Sequence, residues 1–524
     1  ILSTMVRQGR PSQSREQGDI TEPGTQGRGW MQARHVHHRR FHYSGSVHKE
    51  PMTQPRSSRP VSSRILALIV SAALFMELMD GTILATALPQ MAQSFDVAPL
   101  QMSVALTAYL LSLAVFIPAS GWMADRFGSR RVFMGAIALF VTGSMVCGMA
   151  EGLPEMVIAR LVQGAGGAMM VPVGRLLLLR NVPRHELVSA IAWMTIPATL
   201  GPILGPPVGG FFTTWLSWRW IFYINLPIGL IGMGLAARFV PNVTETELRP
   251  LDFKGLLLSG TALACLLWAM ETLGRGPSGT DAKALSSAAI LTLIGLGSGW
   301  LYLRHSRTIP HPILNPMLMR IRTFRLSVLG GACSRVVAGA MPFLLPMTMQ
   351  LGMGMSAAES GSVTFIGAAG SLLVRPWAAR ILRRFGFRRV MIWNGALSST
   401  AVLLCATFQP SWPHGWFFLV LAPAGLFQAL QFIAYNTIAY ADVPREQMSE
   451  ATSFYTTFQQ MTLSAGICIA GISVSLSMLA GQRAQPDMTD FATGFVTIAA
   501  ISALAILCAS RLNSTDGQDL SKKA

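Results

Sequence analysis

Two carboxylates, Glu77 and Asp80, stand three residues apart in an apolar run, and two arginines, Arg160 and Arg335, stand inside later apolar runs. Residues three apart share one helix face. An ionised side chain at mid-bilayer costs about 2.5–3.5 kcal/mol on insertion scales, so such residues need a reason to be there. Two acids that close in hydrocarbon cannot both ionise cheaply, and one of them is expected to exchange a proton. Arg160 is a further candidate for proton coupling, or a structural hydrogen-bonder to helix carbonyls. No Lys or His lies comparably deep, which excludes a histidine proton relay. Glu271 lies near the end of its apolar run and reads as reaching water.

Positioning these charges requires helices that cross a membrane. A span takes about 20 apolar residues. Fourteen such stretches are expected, at 65–89, 100–120, 131–150, 154–175, 187–212, 219–239, 253–272, 285–303, 325–350, 358–378, 388–408, 415–437, 451–480 and 490–510. Only 12% of the residues are charged, against about 25% in soluble domains. The net charge of +17 gathers in the first sixty residues and in alternate short loops, which argues against a nucleic-acid surface. All six cysteines lie in apolar stretches, with no CxxC pair, so neither a disulfide framework nor a zinc site is expected. The histidines His35, His37, His38 and His42 fall in a Gly- and Arg-rich tail that reads as disordered. Met52 stands shortly before the first span, so a start assigned too early is one reading of that tail. It lacks the apolar core of a signal peptide.

The basic loops orient the chain. Arg126, Arg130, Arg131, Arg180, Arg184, Arg249, Lys254, Arg304, Arg307, Arg320, Arg322 and Arg383, Arg384, Arg388, Arg389 fall on one side, and only Arg219, Arg275, Lys283 and Arg483 on the other. Both termini are therefore expected in the cytoplasm. One basic turn occurs twice. Arg126-Phe127-Gly128-Ser129-Arg130-Arg131-Val132 returns as Arg384-Phe385-Gly386-Phe387-Arg388-Arg389-Val390, 384 − 126 = 258 residues later. A short basic turn repeated half a chain apart is what a duplicated transporter leaves behind. At the first copy, Gly121 lets two helices approach. Asp125 is expected to pair with Arg130 or Arg131 as a latch. Arg383 stands at the Asp125 position of the second copy.

These turns resemble the cytoplasmic turn of the major facilitator superfamily. Arg160-Leu161-Val162-Gln163-Gly164 is similar to its fourth-span motif, and Gly201-Pro202-Ile203-Leu204-Gly205-Pro206-Pro207-Val208-Gly209-Gly210 to its antiporter motif in span five. Trp218-Arg219-Trp220-Ile221-Phe222-Tyr223-Ile224-Asn225 and Leu78-Met79-Asp80-Gly81-Thr82 resemble the fourteen-span drug:proton antiporters of the EmrB/QacA type, although Thr86 stands where that family has Asn. The resemblance implies an all-α membrane protein with two six-helix bundles, 65–240 and 325–511, a two-helix insert at 253–303, and tails at 1–64 and 512–524. It implies Asp80 as the proton carrier, tuned by Glu77. It also places Arg335, Gln428, Gln431 and Asn436 on the central path, with Gln459 a further contact, although amides in lipid also bridge helices. The Gly/Pro run reads either as a kinked span or as a seal against leak. Trp218, Trp220 and Tyr223 read as an interfacial belt.

The expected function is proton-driven export of amphipathic, cationic compounds across the inner or plasma membrane by alternating access, without enzymatic activity, cofactor or metal. A metabolite exporter or proton symporter of the same fold is the alternative. A membrane sensor would be expected to carry a soluble signalling domain, for which the short loops leave no room. No P-loop motif is present. A periplasmic adaptor and an outer-membrane channel stay open as further partners.

Overall fold

In a computed structural model, residues 62–183, 185–241, 250–275, 281–513 and 516–517 are described. The histidine cluster, Arg184, Arg249, the N-terminal tail to residue 61 and most of the C-terminal tail lie outside them. All regular elements among the described residues are helical. The first bundle comprises α1 (Ser63–Ile83), α2 (Leu88–Ser94), α3 (Ser103–Phe127), α4 (Ser129–Met149), α5 (Leu153–Asn181), α6 (Leu187–Ala198), α7 (Gly201–Trp215), α8 (Trp220–Tyr223) and α9 (Asn225–Phe239). The insert is α10 (Phe253–Leu273) and α11 (Ala282–His305). The second bundle comprises α12 (Arg322–Met347), α13 (Ala357–Leu373), α14 (Arg375–Phe385), α15 (Phe387–Cys405), α16 (His414–Ile438), α17 (Met448–Ala480) and α18 (Met488–Ser510).

By length and composition, eleven of these helices can cross a membrane, or twelve if α13 and α14, bent by 50°, count as one. The two remaining expected spans depart for local reasons. The fifth is broken at Thr199–Leu200 into α6 and α7, so neither piece reaches full length. The eleventh, α15, opens on Arg388 and Arg389 and carries Asn394, Ser398 and Ser399. The tenth span ends at Leu373, short of the expected 378. Past Arg375-Pro376 the chain becomes an amphipathic basic helix, with Trp377 exposed and Leu382 buried. The fourteen-span reading is consistent with this set.

The repeated turn is built alike in both halves. Gly128 caps α3 at φ +92° and Gly386 caps α14 at φ +77°, a left-handed backbone that glycine adopts without a Cβ penalty. Each glycine then opens the next helix, whose first residue, Ser129 or Phe387, is buried.

The two ends of the molecule pack differently. Away from the basic turns, Leu84, Leu88, Met102 and Phe222 of the first bundle join Val336, Phe343, Met347 and Phe491 of the second in one continuous core. At the basic end the cores are separate. Leu66, Phe133, Phe140 and Leu177 form one within the first bundle, and Met391, Leu430 and Ala509 form another within the second. Helix α7 works as the joint. A Cβ at Gly201 would stand 2.8 Å from the Phe75 carbonyl oxygen of α1, and one at Gly210 would stand 2.9 Å from the Ala358 Cα of α13. Gly205 and Gly209 also face α1, and Pro206 faces Gly361 of α13. Small residues bring helices to backbone contact where lipid offers no hydrophobic drive. Pro206 and Pro207 lie inside an unbroken helix, while the break comes just before Gly201-Pro202. Gln350 Nε2 donates to the Thr86 carbonyl at 3.0 Å, and the Ala358 N–H to Thr214 Oγ1 at 3.0 Å. Both bonds tie one bundle to the other. Trp218 is a correction to the interfacial reading. It is 2% exposed, packs edge-on against Phe95, and donates from Nε1 to Ser94. Trp220 is half exposed, and Tyr223 donates to the Gly148 carbonyl.

Candidate functional site

Helix α1 is apolar on nearly every side, so its two carboxyls are conspicuous, and both are buried. Arg160 and Gln163, three apart on α5, share the face that meets α1. The Arg160 Nη1 donates to Asp80 Oδ2 at 2.6 Å and to Gln163 Oε1 at 2.7 Å. Its Nε donates to the Ala105 carbonyl at 2.9 Å, and its guanidinium lies 4.3 Å from the centre of the Tyr109 ring. Gln163 Nε2 donates to Asp80 Oδ1 at 2.8 Å, and Asn225, the first residue of α9, donates to the same oxygen at 3.4 Å. Asn225 also donates to Ser144 Oγ, which donates in turn to the Phe222 carbonyl. Two helices, α5 and α9, thus converge on the one carboxylate of α1. The Asp80–Arg160 pair is 1% and 0% exposed. A buried pair of this kind holds only while both charges and their hydrogen bonds are present.

Glu77 is different. Its Oε2 has no partner among the described residues. The charges that bear on it are Arg175 and Asp80. Arg175, on the same helix as Arg160 but fifteen residues nearer the basic end, is exposed and also bears on Tyr440 of the second bundle. Arg175 is thus within electrostatic reach of Glu77 in the first bundle and of Tyr440 in the second. Gln163, Asn225 and Arg175 were all missed as site residues. The first two stand inside the quoted motifs, but the charge criterion passes over amides. Arg175 sat at the assumed end of its span.

Asp125, expected to pair within the basic turn, has another partner. Asp125 accepts from Arg180 Nη2 at 2.6 Å. Arg180 is on α5, so the contact joins α3 to α5. Arg130 instead donates to the Val240 carbonyl at 3.4 Å. Gly121, Arg126 and Arg131 are all exposed, and a Cβ at Gly121 would meet nothing within 4 Å, so this glycine does not bring two helices together as expected.

In the second bundle Arg335 is 2% exposed. Its Nη2 donates to Tyr455 Oη, and its guanidinium lies 4.5 Å from the Tyr455 ring centre and 5.8 Å from that of Phe432. Its Nε and Nη1 have no partner among the described residues. The amides near it are engaged within the bundle. Gln428 donates to the Ser334 carbonyl at 2.9 Å and accepts from Ser398. Gln431 is 1% exposed and is held at both ends by α15, through Asn394 and the Met391 carbonyl. Asn436 donates to its own helix at Phe432. Gln459 is half-buried on α17.

Glu271 corrects the expectation of water contact. It is 2% exposed, with Ser103 and Thr107 of α3 and Cys468 of α17 against its carboxyl. The covering helices come from opposite ends of the chain, so position within its own helix could not reveal them.

The site holds paired charges and amides, and among the described residues no cluster of His, Cys, Asp and Glu able to hold a metal. Residues 70–467 match the family model of the Major Facilitator Superfamily. The chain is 36% identical over 458 residues to the provisionally named multidrug resistance protein MdtD of Citrobacter koseri, covering 86% of this chain and 95% of that one. It is 35% identical over 468 residues to its namesake from Escherichia coli strain K12, covering 88% and 97%. Among solved structures, a D-xylose-proton symporter aligns with TM-score 0.63 at 14% identity, covering 86% of this chain and 98% of that one. A POT family peptide transporter aligns at 0.60 with 16% identity, covering 86% and 98%. A family match over most of the chain, a helical fold shared with solved transporters and charges paired deep between spans lead to one conclusion: the chain is an integral membrane transporter of the major facilitator superfamily, and not an enzyme.

Proposed function

We propose that the chain exports small amphipathic compounds in exchange for protons across the inner or plasma membrane, by alternating access. The observation that carries the coupling is the contrast within one helix turn. Asp80 receives three donors, one of them charged, whereas Glu77 has an oxygen with none. Protonating Asp80 would orphan buried donors, each costing about 1–3 kcal/mol. Protonating Glu77 orphans nothing. The packing therefore supports Glu77 as the group that exchanges a proton first, with the Asp80–Arg160 pair as the lock that answers it. This exchanges the roles expected from sequence.

The basic turns support a cytoplasmic placement of the end where the cores part, by the rule that Lys and Arg stay inside. On that orientation the shared core closes the outer end. The multidrug names of the relatives support a drug-like substrate. Arg335, Gln459 and the second-bundle amides are the proposed contacts, with a periplasmic adaptor as a further proposed partner. Single cysteines in a background lacking the native six, Arg126→Cys and Asp281→Cys, test the orientation: only the second should label from outside intact cells. Purified protein in liposomes tests the function. A pH gradient should drive uptake of the exported compound, and Glu77→Gln should abolish that drive. Uptake that ignores the gradient in the unmodified protein overturns the coupling.

A further inference from the structure

Glu271 lies two residues before the end of α10, at the end of the molecule where the bundles share one core. Ser103 Oγ stands 2.5 Å from its Oε1, Thr107 Oγ1 3.0 Å from its Oε2, and Cys468 Sγ 3.5 Å from its Oε2. Helix α3 belongs to the first bundle, α17 to the second and α10 to the insert, so a single carboxyl joins three bodies. Beside it, Ser475 of α17 donates to the Gly274 carbonyl at 3.1 Å. These contacts must part if the bundles separate at that end.

Each hydroxyl has a second acceptor in reach. Ser103 Oγ is 2.7 Å from the Leu100 carbonyl, and Thr107 Oγ1 is 3.3 Å from the Val104 carbonyl. A hydroxyl has one proton to give. Against an ionised carboxyl, both hydroxyls turn to Glu271. Against a neutral one, Glu271 donates to Ser103 Oγ, which sends its own proton to Leu100. Both protonation states leave the cluster hydrogen-bonded without moving a heavy atom. The other titratable groups that bear on it are few. Arg275, one turn on in the same chain direction, lies near the Trp268 ring, and α17 contributes Cys468. From α3 only the two hydroxyls reach it, and Asp281 and Lys283 at the start of α11 are exposed.

We propose that Glu271 is a second proton-binding site, distinct from the Glu77–Asp80 pair. It takes a proton from the adjoining solution each time α3 and α17 close on it, and returns it when they part. The closed cluster holds the carboxyl away from water, where a neutral group is cheaper to keep than an ion. Acidity on that side then favours closure. The proton goes back to the side it came from, so the site gates the cycle without adding to the protons carried across. The proposal rests on the alternating-access reading above.

The test uses purified full-length protein in detergent. Spin labels go on Gln93→Cys and Gln409→Cys, exposed at that end on either bundle, with every native cysteine but the buried Cys468 replaced. Pulsed electron resonance reads their separation between about pH 8.5 and 5.5, a range that brackets a perturbed carboxyl. In the parent, the short-distance population should grow on acidification. In Glu271→Gln that shift should be lost, with the short distance dominant throughout. The Ser103→Ala/Thr107→Ala double variant removes the anion's donors and should move the midpoint to higher pH. A shift that survives in Glu271→Gln, a parent without a shift, or a double variant with an unmoved midpoint overturns the proposal. The readout needs no transport, so failure of this site and failure of the export reading are separately visible.

Discussion

The two bundles handle a buried arginine in opposite ways. In the first, Arg160 meets Asp80 at 2.6 Å and spends further donors on Gln163 and the Ala105 carbonyl. In the second, Arg335 has a tyrosine hydroxyl, two aromatic faces and, among the described residues, no carboxylate in an ion pair. The two bundles thus carry two different electrostatic arrangements around a buried arginine. The Asp80–Arg160 pair is neutral as a unit. The second bundle carries an uncompensated cation, which a negative or polar group met during the cycle could satisfy. On the proposed function, this difference would place proton handling in the first half and substrate contact in the second.

The widest gap between the halves should appear in stability. Asp80→Asn strands the Arg160 charge and should cost about 3–5 kcal/mol, read as a fall in the thermal midpoint in detergent. Arg335→Met removes a charge that has no counter-ion and should leave the midpoint unchanged or raised. Equal losses in both would erase the contrast. Coupling gives the next largest effect. Substrate-induced proton release from solubilised protein should vanish in Glu77→Gln, whereas folded Asp80→Asn protein, recovered by adding Arg160→Met, should retain part of it. The reverse pattern restores Asp80 as the carrier. A smaller effect is expected at the latch. Asp125 is 39% exposed and Arg180 14%, so Asp125→Asn should cost at most about 1 kcal/mol of stability yet slow transport. Arg180→Gln should match it, and Arg130→Gln should do less. If Arg130→Gln equals Arg180→Gln, the α3–α5 contact is not what the latch depends on.

How much of this was legible in the sequence depends on the kind of residue. Asp80 and Arg160 stood out because a charge in an apolar run is costly. Their pairing did not, because eighty residues separate them and only the packing of α1 on α5 brings them to contact. Gln163 and Asn225 carry no charge, so no solvation argument singles them out. Asp125 was legible as a latch residue, but its neighbours in sequence, Arg130 and Arg131, were the wrong partners. The true one lies a helix away, fifty-five residues on. Glu271 failed for a related reason. A residue near a helix end reaches water only if no other helix covers that end, and the covering helices here are α3 and α17. The break at Thr199–Leu200 and the bend at Val374 were blurred because apolar content runs on through both, while the backbone path does not.

Gly128 and Gly386 explain why the duplication is still readable. Both sit at a left-handed backbone position, where any other side chain adds strain of roughly 1–2 kcal/mol. The one place in the seven-residue repeat where the copies disagree is the next residue, Ser129 against Phe387. That position has ordinary helical geometry and only its neighbours to satisfy, so each half could refit it to its own interior. The glycine could not drift without distorting the turn that links two helices. Backbone geometry thus marks which residue of the turn is held fast: the position with left-handed dihedral angles is glycine in both copies, and the one difference falls on a neighbour whose backbone any residue can adopt.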